Sequence, residues 1–395
     1  MSSSSPPKSD KMSSLSERGQ SKFEATANRI MAVLMPLVQA GAAGYATYVV
    51  VVLICIKYLL SPSSDLQDAD IEPRRRTAIA LLVIYFILMA VMAITFLRLI
   101  QVIWSNPGYV PFADPDPEKG TVSTKDFDRL DAYISDYEGN PLWCRTCNNW
   151  KPDRTHHSSA LGRCVRRMDH FCPYAGGIIS ETSHKFFTQF LLYGALYTGY
   201  VMILMAVFLA ERNHKLHSTP ATWIVALALA ALFFLFSFGM FLTTVYNLAK
   251  NFTTIEAANR PYQTYNIALL GEIRRVSDRP SASNSAILST NQRSQTRCYI
   301  VLQTRPGENP WDLGVLDNIK SIMGTSVIDW FIPLKMSPCT SHTGDVGHFE
   351  WGWVVQRLMD EYEAGSSFGG SRRSRRSRGS RSEPSRVTRS TPSRA

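Results

Sequence analysis

Four long apolar blocks interrupt an otherwise polar chain: Leu37–Leu60, Thr77–Trp104, Phe187–Ala210 and Ala221–Ala249. Each exceeds the roughly 20 residues that a helix needs to cross a ~30 Å hydrocarbon core. Core helices of soluble proteins are usually shorter and keep a polar face. The pattern therefore predicts an α-helical polytopic membrane protein with four transmembrane helices. Lys57 and Arg98 are the charges within the first two blocks. Both lie near a block end, from which a long side chain reaches the interface.

The polar segments divide the rest. Residues 1–30 are Ser-, Pro- and Lys-rich at their start and are expected to be a disordered N-terminus. Residues 105–140 read as a linker, and 141–186 as a cysteine-rich domain between spans two and three. The stretch 250–363 is a C-terminal soluble region, with a short helix starting in Asn251–Tyr262 and a Ser/Asn/Arg-rich loop over 276–297. Residues 364–395 are a disordered Ser/Arg tail.

Charge sets the expected orientation. Lys and Arg number five in 1–30, three in 61–76, ten in 105–185 and two in 211–220. Basic loops stay on the cytosolic side. Both termini and the cysteine-rich domain are thus expected in the cytosol. Residues 371–395 hold nine Arg and one Glu. Beside four spans, such a tail is expected to meet anionic lipid of the bilayer at roughly 1 kcal/mol per basic residue; no nucleic-acid partner is expected.

Seven cysteines are too few and too unevenly spaced for a disulfide framework. Four of them fall in 29 residues of a loop expected in reducing cytosol, where metal binding or catalysis is favoured over bridging. From Cys144 the chain reads CRTCNNWKPDRTHHSSALGRCVRRMDHFCPY. Cys144 and Cys147 form a Cys-x2-Cys knuckle, followed by His156 or His157 and then Cys164. Three thiolates and one imidazole suit a tetrahedral structural zinc. A polar loop this poor in aliphatic residues needs such a staple.

In these features the chain resembles the DHHC protein S-acyltransferases (palmitoyltransferases), and its wording is similar to a fungal branch of that family. The resemblance rests on Cys144–Cys172 between spans two and three and on Asn106-Pro107-Gly108 after span two. It rests equally on Thr253-Thr254-Ile255-Glu256 after span four and on Asn309-Pro310-Trp311 with Gly314, Asn318 and Gly324. The family register implies Cys144, Cys147, His157 and Cys164 as ligands of one structural zinc. It also implies Asp169, His170 and Cys172 as the catalytic group. A second zinc is usual in the family, but its positions here are Ser158, Leu161, Phe171 and Ile178. One hydroxyl and three hydrocarbons do not hold zinc; Leu161, Phe171 and Ile178 are expected to pack as an apolar cluster instead. Tyr174 and Gly177 also stand where the family usually has Trp and Asn.

The implied chemistry is S-acyl transfer. Cys172 would attack palmitoyl-CoA, or another long-chain acyl-CoA, then pass the acyl group to a cysteine of a substrate protein at the membrane. His170 would manage protons and Asp169 would orient it. If Pro173 helps the loop to turn, His170 comes within reach of Cys172. Small residues such as Gly194, Ala195 and Gly199 either line an acyl pocket or serve helix packing. Arg163, Arg166, Arg167 and Lys185 either attract CoA phosphates or face lipid headgroups. Two rivals exist. A catalytically silent zinc-stapled adaptor would explain the lost metal site, whereas a transporter would need paired intramembrane charges or broken helices.

Overall fold

The computed structural model describes residues 8–112, 127–271, 287–290, 297–342 and 344–376. Its apolar blocks form four long helices. The first, α1 (Lys8–Thr47), continues as a π-helical stretch, Tyr48–Leu60. A short helix α2 (Ser64–Asp68) precedes α3 (Arg75–Ser105). The third and fourth spans are α4 (His184–Leu216) and α5 (Ala221–Ala249). Val49, Ile54, Tyr58, Tyr85, Tyr197 and Met205 are buried where the helices meet. Side chains such as Ile87, Leu97, Ile203 and Leu235 point outward, which suits lipid.

The cysteine-rich domain consists of three two-stranded antiparallel hairpins. They are β2–β3 (Leu142–Cys144, Asn149–Lys151), β4–β5 (His156–Ser158, Arg163–Val165) and β6–β7 (His170–Cys172, Gly177–Ile179). Preceding them, β1 (Ala132–Ser135) joins a four-stranded sheet in the order β1-β8-β10-β9, with β8 (Asn266–Gly271), β9 (Ile287–Thr290) and β10 (Arg297–Gln303). After α5 come α6 (Thr254–Asn259), α7 (Val315–Met323), α8 (Val327–Phe331) and α9 (Trp353–Arg376). Val354, Val355 and Leu358 of α9 bury one sheet face with Ile134, Ile267 and Trp311. Tyr133, Ala268 and Tyr299 fill the other face, as strand alternation requires.

Several expected boundaries need correction. The chain is helical from Lys8, not disordered to residue 30. Good helix formers such as Glu24, Ala25, Ala27 and Ala32 favour this, and Arg29 Nε anchors the segment by donating to the Ala160 carbonyl (3.0 Å). The linker 105–140 contains β1, whose partner lies more than 130 residues away and so left no local signal. Part of the 276–297 loop is β9, pairing with β10; the rest of that loop lies outside the described residues. Helix α9 runs thirteen residues into the Ser/Arg tail, while 377–395 lie outside the described residues.

The Asn106-Pro107-Gly108 motif connects membrane and soluble layers. Gly108 has φ +78° and its carbonyl accepts from Arg166 N–H (2.8 Å), while Val110 N–H donates to the Cys164 carbonyl (3.0 Å). Only a glycine adopts that turn without strain. Thr182 Oγ1 closes the other side on the Asn106 carbonyl (2.7 Å). The hairpins thus sit directly on the ends of spans two and three.

Candidate active site and metal centre

Strand geometry arranges the metal ligands. His157 lies opposite Cys164 in the β4–β5 ladder, whereas His156 pairs with Val165. Successive strand residues face opposite sides, so His157 and Cys164 share a face that His156 does not. Ligand atoms of Cys144, Cys147, His157 and Cys164 all lie within 4.8 Å of one another. His157 Nδ1 is 3.2 Å from Cys147 Sγ and 3.6 Å from Cys144 Sγ. Burial lowers the His157 pKa, which favours the neutral ring that a metal needs. The donor set fits zinc, and among the described residues no other His/Cys/Asp/Glu group converges this way. At the positions of the missing second site, Phe171 and Ile178 face each other across β6–β7, and Ser158 Oγ accepts from Leu161 N–H (3.4 Å).

Residues 170–172 are held by a strand, not by a turn as the sequence suggested, with Asp169 immediately before it. In β6, His170 and Cys172 are two residues apart and share a face, while Phe171 points the other way. Pro173–Ala175 form a 3₁₀ turn immediately afterwards. His170 Nδ1 donates to Asp169 Oδ2 at 2.5 Å, leaving Nε2 as the ring nitrogen not committed to the carboxylate, on a ring that shares its strand face with Cys172. Cys172 is 7% exposed and packs among Leu99, Ile103, Phe186 and Phe187. The Phe187 ring meets the imidazole edge-on at 5.5 Å.

Asp169 is 3% exposed and fully supplied with donors. Thr254 N–H reaches Oδ1 (2.8 Å) and Thr254 Oγ1–H reaches Oδ2 (2.9 Å). Burial alone would raise its pKa, but His184, His170 and the Thr254 N–H hold the carboxyl below the usual carboxylate range. Burial likewise disfavours a charged His170, yet its bond to Asp169 and the neighbouring Cys172 push it up to about 10. Asp169 and His170 therefore form an oriented ion pair at neutral pH beside Cys172.

A second layer locks this array to the C-terminal region. Thr253 and Glu256 form a reciprocal cap on α6. Glu256 also takes both Nε and Nη2 of buried Arg154 (2.8 and 2.6 Å). Asn251 accepts from Arg154 Nη1 (2.9 Å) and donates to the Trp311 carbonyl (2.7 Å). Asn309 and Asn318 donate to the Lys250 and Ala249 carbonyls (2.8 and 2.9 Å), satisfying the exposed C-terminal end of α5. Within the Thr253–Glu256 motif, Thr254 makes the direct tie to Asp169, and Glu256 acts through Arg154.

Other expectations are corrected by burial. Arg167 and Lys185 are fully buried and do not present charge to phosphates or headgroups; Arg163, half-buried, stacks on Tyr109 and Phe112. Gly177 has no room for a side chain: a Cβ there would lie 2.6 Å from Ile103 Cγ2. Glycine in place of the family's usual Asn thus lets span two approach the β6–β7 hairpin. Tyr174 tilts against Phe236 with ring centroids 5.0 Å apart.

Below Cys172 a cavity opens into the spans. Its mouth, about 40 Å³, is lined by Cys172, Gln39, Tyr174, Phe187, Ser237 and Met240 among others. A larger chamber of about 370 Å³ follows, sharing Gln39, Phe190, Gly194, Phe233 and Ser237 with the mouth. Of the two roles open to the small residues, Gly194 takes the first and lines the chamber, whereas Gly199 sits against the Phe234 ring as a packing contact. Deeper in the chamber Tyr197 Oη bonds Tyr85 Oη (2.9 Å), which bonds Thr47 Oγ1 (2.7 Å).

Comparison with known proteins agrees with this arrangement. Residues 137–261 match the model of the DHHC palmitoyltransferase family. "Palmitoyltransferase pfa5" of Aspergillus fumigatus is 32% identical, covering 85% of this chain and 90% of its own. The pfa5 protein of Emericella nidulans is 29% identical over 85% and 86% of the two chains. That of Kluyveromyces lactis is 31% identical over 62% and 70%. Together with the four spans and the cysteine-rich hairpins, these likenesses show that the chain is a multi-pass membrane protein belonging to the DHHC palmitoyltransferase family.

Proposed function

We propose that this protein transfers a long-chain acyl group from acyl-CoA, through an S-acyl-Cys172 intermediate, to cysteines of substrate proteins at the cytosolic membrane face. The observation that carries this reading is the Asp169–His170–Cys172 array set at the mouth of an apolar chamber. Burying the sixteen-carbon chain of palmitate at ~0.8 kcal/mol per CH₂ is worth on the order of 10 kcal/mol. A nucleophile that carries such a chain therefore needs a greasy receptacle beside it. The charge pattern along the chain supports a cytosolic position for both termini and the hairpins, where acyl-CoA and substrate thiols meet.

The two half-reactions follow from the residues. Sγ, as the thiolate paired with the His170 imidazolium, attacks the thioester carbon. CoA leaves and takes a proton from the imidazolium. Once Sγ is acylated, Cys172 no longer helps to hold a proton on His170, so the ring becomes a better base for the incoming protein thiol. Asp169 fixes the tautomer throughout. Cys144, Cys147, His157 and Cys164 would hold zinc, which would brace the hairpins and take no part in the transfer. Ping-pong kinetics follow from the covalent intermediate. Initial rates with varied palmitoyl-CoA and a cysteine-bearing acceptor should give parallel double-reciprocal lines, with a burst of free CoA before acceptor is added. The absence of acceptor-independent CoA release would refute the intermediate.

Asp169→Asn removes the acceptor that raises His170. The variant should acylate at least about 10²-fold more slowly. The pH dependence of stability separates orientation from simple misfolding. With an unfolded pKa near 6.5 and a folded value of about 10, the His170 contribution is complete below pH ~6.5 and lost as pH rises through ~10. Between those limits it declines by about 1.4 kcal/mol for each step of one in pH. Wild-type melting temperature should fall across that window in detergent, and the Asp169→Asn profile should be flatter. Equal slopes would show that Asp169 does not hold the His170 proton.

The hydroxyl rung Thr47–Tyr85–Tyr197 reaches the chamber wall through Tyr197, about 15 Å (ten residues of α4) below Phe187. Tyr197→Ala opens the chamber there. It should raise acylation by stearoyl-CoA relative to palmitoyl-CoA several-fold; an unchanged ratio in paired assays would place the chain elsewhere.

A further inference from the structure

Helix α1 presents one face to the turn that follows Cys172. Residues Ala32, Pro36 and Gln39 are spaced by four and three, and so line up on one side. Pro36 lacks an N–H, which frees the Ala32 carbonyl one turn earlier. That carbonyl and the Pro36 ring lie 3.5 and 3.8 Å from where a Gly176 Cβ would stand. The same face continues to Gln39, which lines both the mouth that contains Cys172 and the chamber below it.

Gln39 is the odd residue of that cavity. Its Oε1 is buried and has no hydrogen-bond partner. An unsatisfied buried amide oxygen destabilises the fold, so an apolar residue of similar size would make the resting protein more stable. Turned by 180°, the same amide offers two N–H donors with no change of shape. The neighbouring hydroxyl, Ser237 Oγ, is already committed to the Phe233 carbonyl on its own helix. Tyr174 is 37% exposed and leans on Phe236.

We propose that the Gln39 side-chain amide is an oxyanion-stabilising donor for acyl transfer at Cys172. This rests on the acyl-enzyme reading above. As the Sγ–C bond forms, the carbonyl π pair moves to oxygen, and Gln39 Nε2–H donates to that oxygen. The pair then returns, the bond from carbon to the CoA sulfur breaks, and CoA leaves with the proton from His170. The second half-reaction passes through the same oxyanion. An amide that is idle at rest and bonded only as charge develops stabilises the transition state selectively.

The test compares wild type, Gln39→Leu, Tyr174→Phe and Cys172→Ser, purified in detergent and matched for zinc content. Two rates are measured: Cys172 acylation by labelled palmitoyl-CoA, and Cys172 alkylation by iodoacetamide. Alkylation displaces iodide at a saturated carbon and generates no oxyanion. Gln39→Leu should acylate about 10²-fold more slowly yet alkylate at the wild-type rate, and Gln39→Asn should recover part of the loss. Wild-type acylation by Gln39→Leu would overturn the proposal. So would a parallel loss of both rates, which marks a packing role, or a loss confined to Tyr174→Phe, which names a different donor. If wild type forms no Cys172 thioester at all, the acyl-enzyme reading has failed instead.

Discussion

Serine in place of Cys172 is expected to lower acyl transfer to a substrate protein by at least about 10³-fold while leaving zinc content and melting temperature unchanged. The size follows from losing the nucleophile of a unit that works together. A serine hydroxyl is far less acidic than a thiol, so a single imidazole does not activate it comparably in this array. Stability should persist because Sγ and Oγ differ little in volume, and Cys172 contributes one side chain to the cluster with Leu99, Ile103 and Phe187. The assay is palmitate transfer to a cysteine-bearing acceptor, with melting followed in parallel. Activity retained by the serine variant would move catalysis away from β6, and a silent adaptor would show no transfer by wild type either.

Removing the metal centre should have an equally large effect by a different route. Cys164→Ser, or exhaustive chelation, is expected to unfold the hairpins and abolish acylation together. A structural zinc contributes on the order of 10 kcal/mol, which is comparable with the whole stability of a typical domain, about 5–15 kcal/mol. The dependence should be steep here because the hairpin strands are three residues each and little apolar packing surrounds the ligands beyond Val110. Elemental analysis should find one zinc per chain. Two zincs would contradict the absence of a second ligand set at Ser158, Leu161, Phe171 and Ile178, and a folded, active Cys164→Ser protein would contradict the staple.

What was legible in the sequence was what is local or periodic. Composition alone located the spans, because twenty apolar residues in a row have few alternatives. Helix ends were harder. Polar turns of α1 and α4 extend beyond the membrane, and Arg29 shows that the first of these is a docked element. The ligand spacing announced a metal centre, but the choice between His156 and His157 waited on a family register; the structural reason is the pairing of His157 with Cys164. The capping signature Thr253–Glu256 was readable for the same local reason.

Contacts between distant segments were not readable. Thr254 reaches Asp169 across 85 residues, Arg154 reaches Glu256 across 102, and β1 pairs with a strand more than 130 residues away. Nothing in any of those segments alone encodes its partner. Charge was the most misleading signal: Arg167 and Lys185 read as surface cations but are buried, with Arg167 bonded to His184 and Asn251. Pattern reading treats a charge as exposed unless its partner is visible.

The central claim is that Cys172, served by His170 and Asp169, carries the acyl group. Peptide mapping by mass spectrometry addresses it most directly: zinc-loaded protein is mixed with palmitoyl-CoA, without acceptor, and digested under acidic conditions. The account predicts a palmitoylated peptide containing Cys172 that loses its acyl group to neutral hydroxylamine. Unmodified Cys172 in a folded protein, or acyl found only on another cysteine such as Cys339, would contradict it.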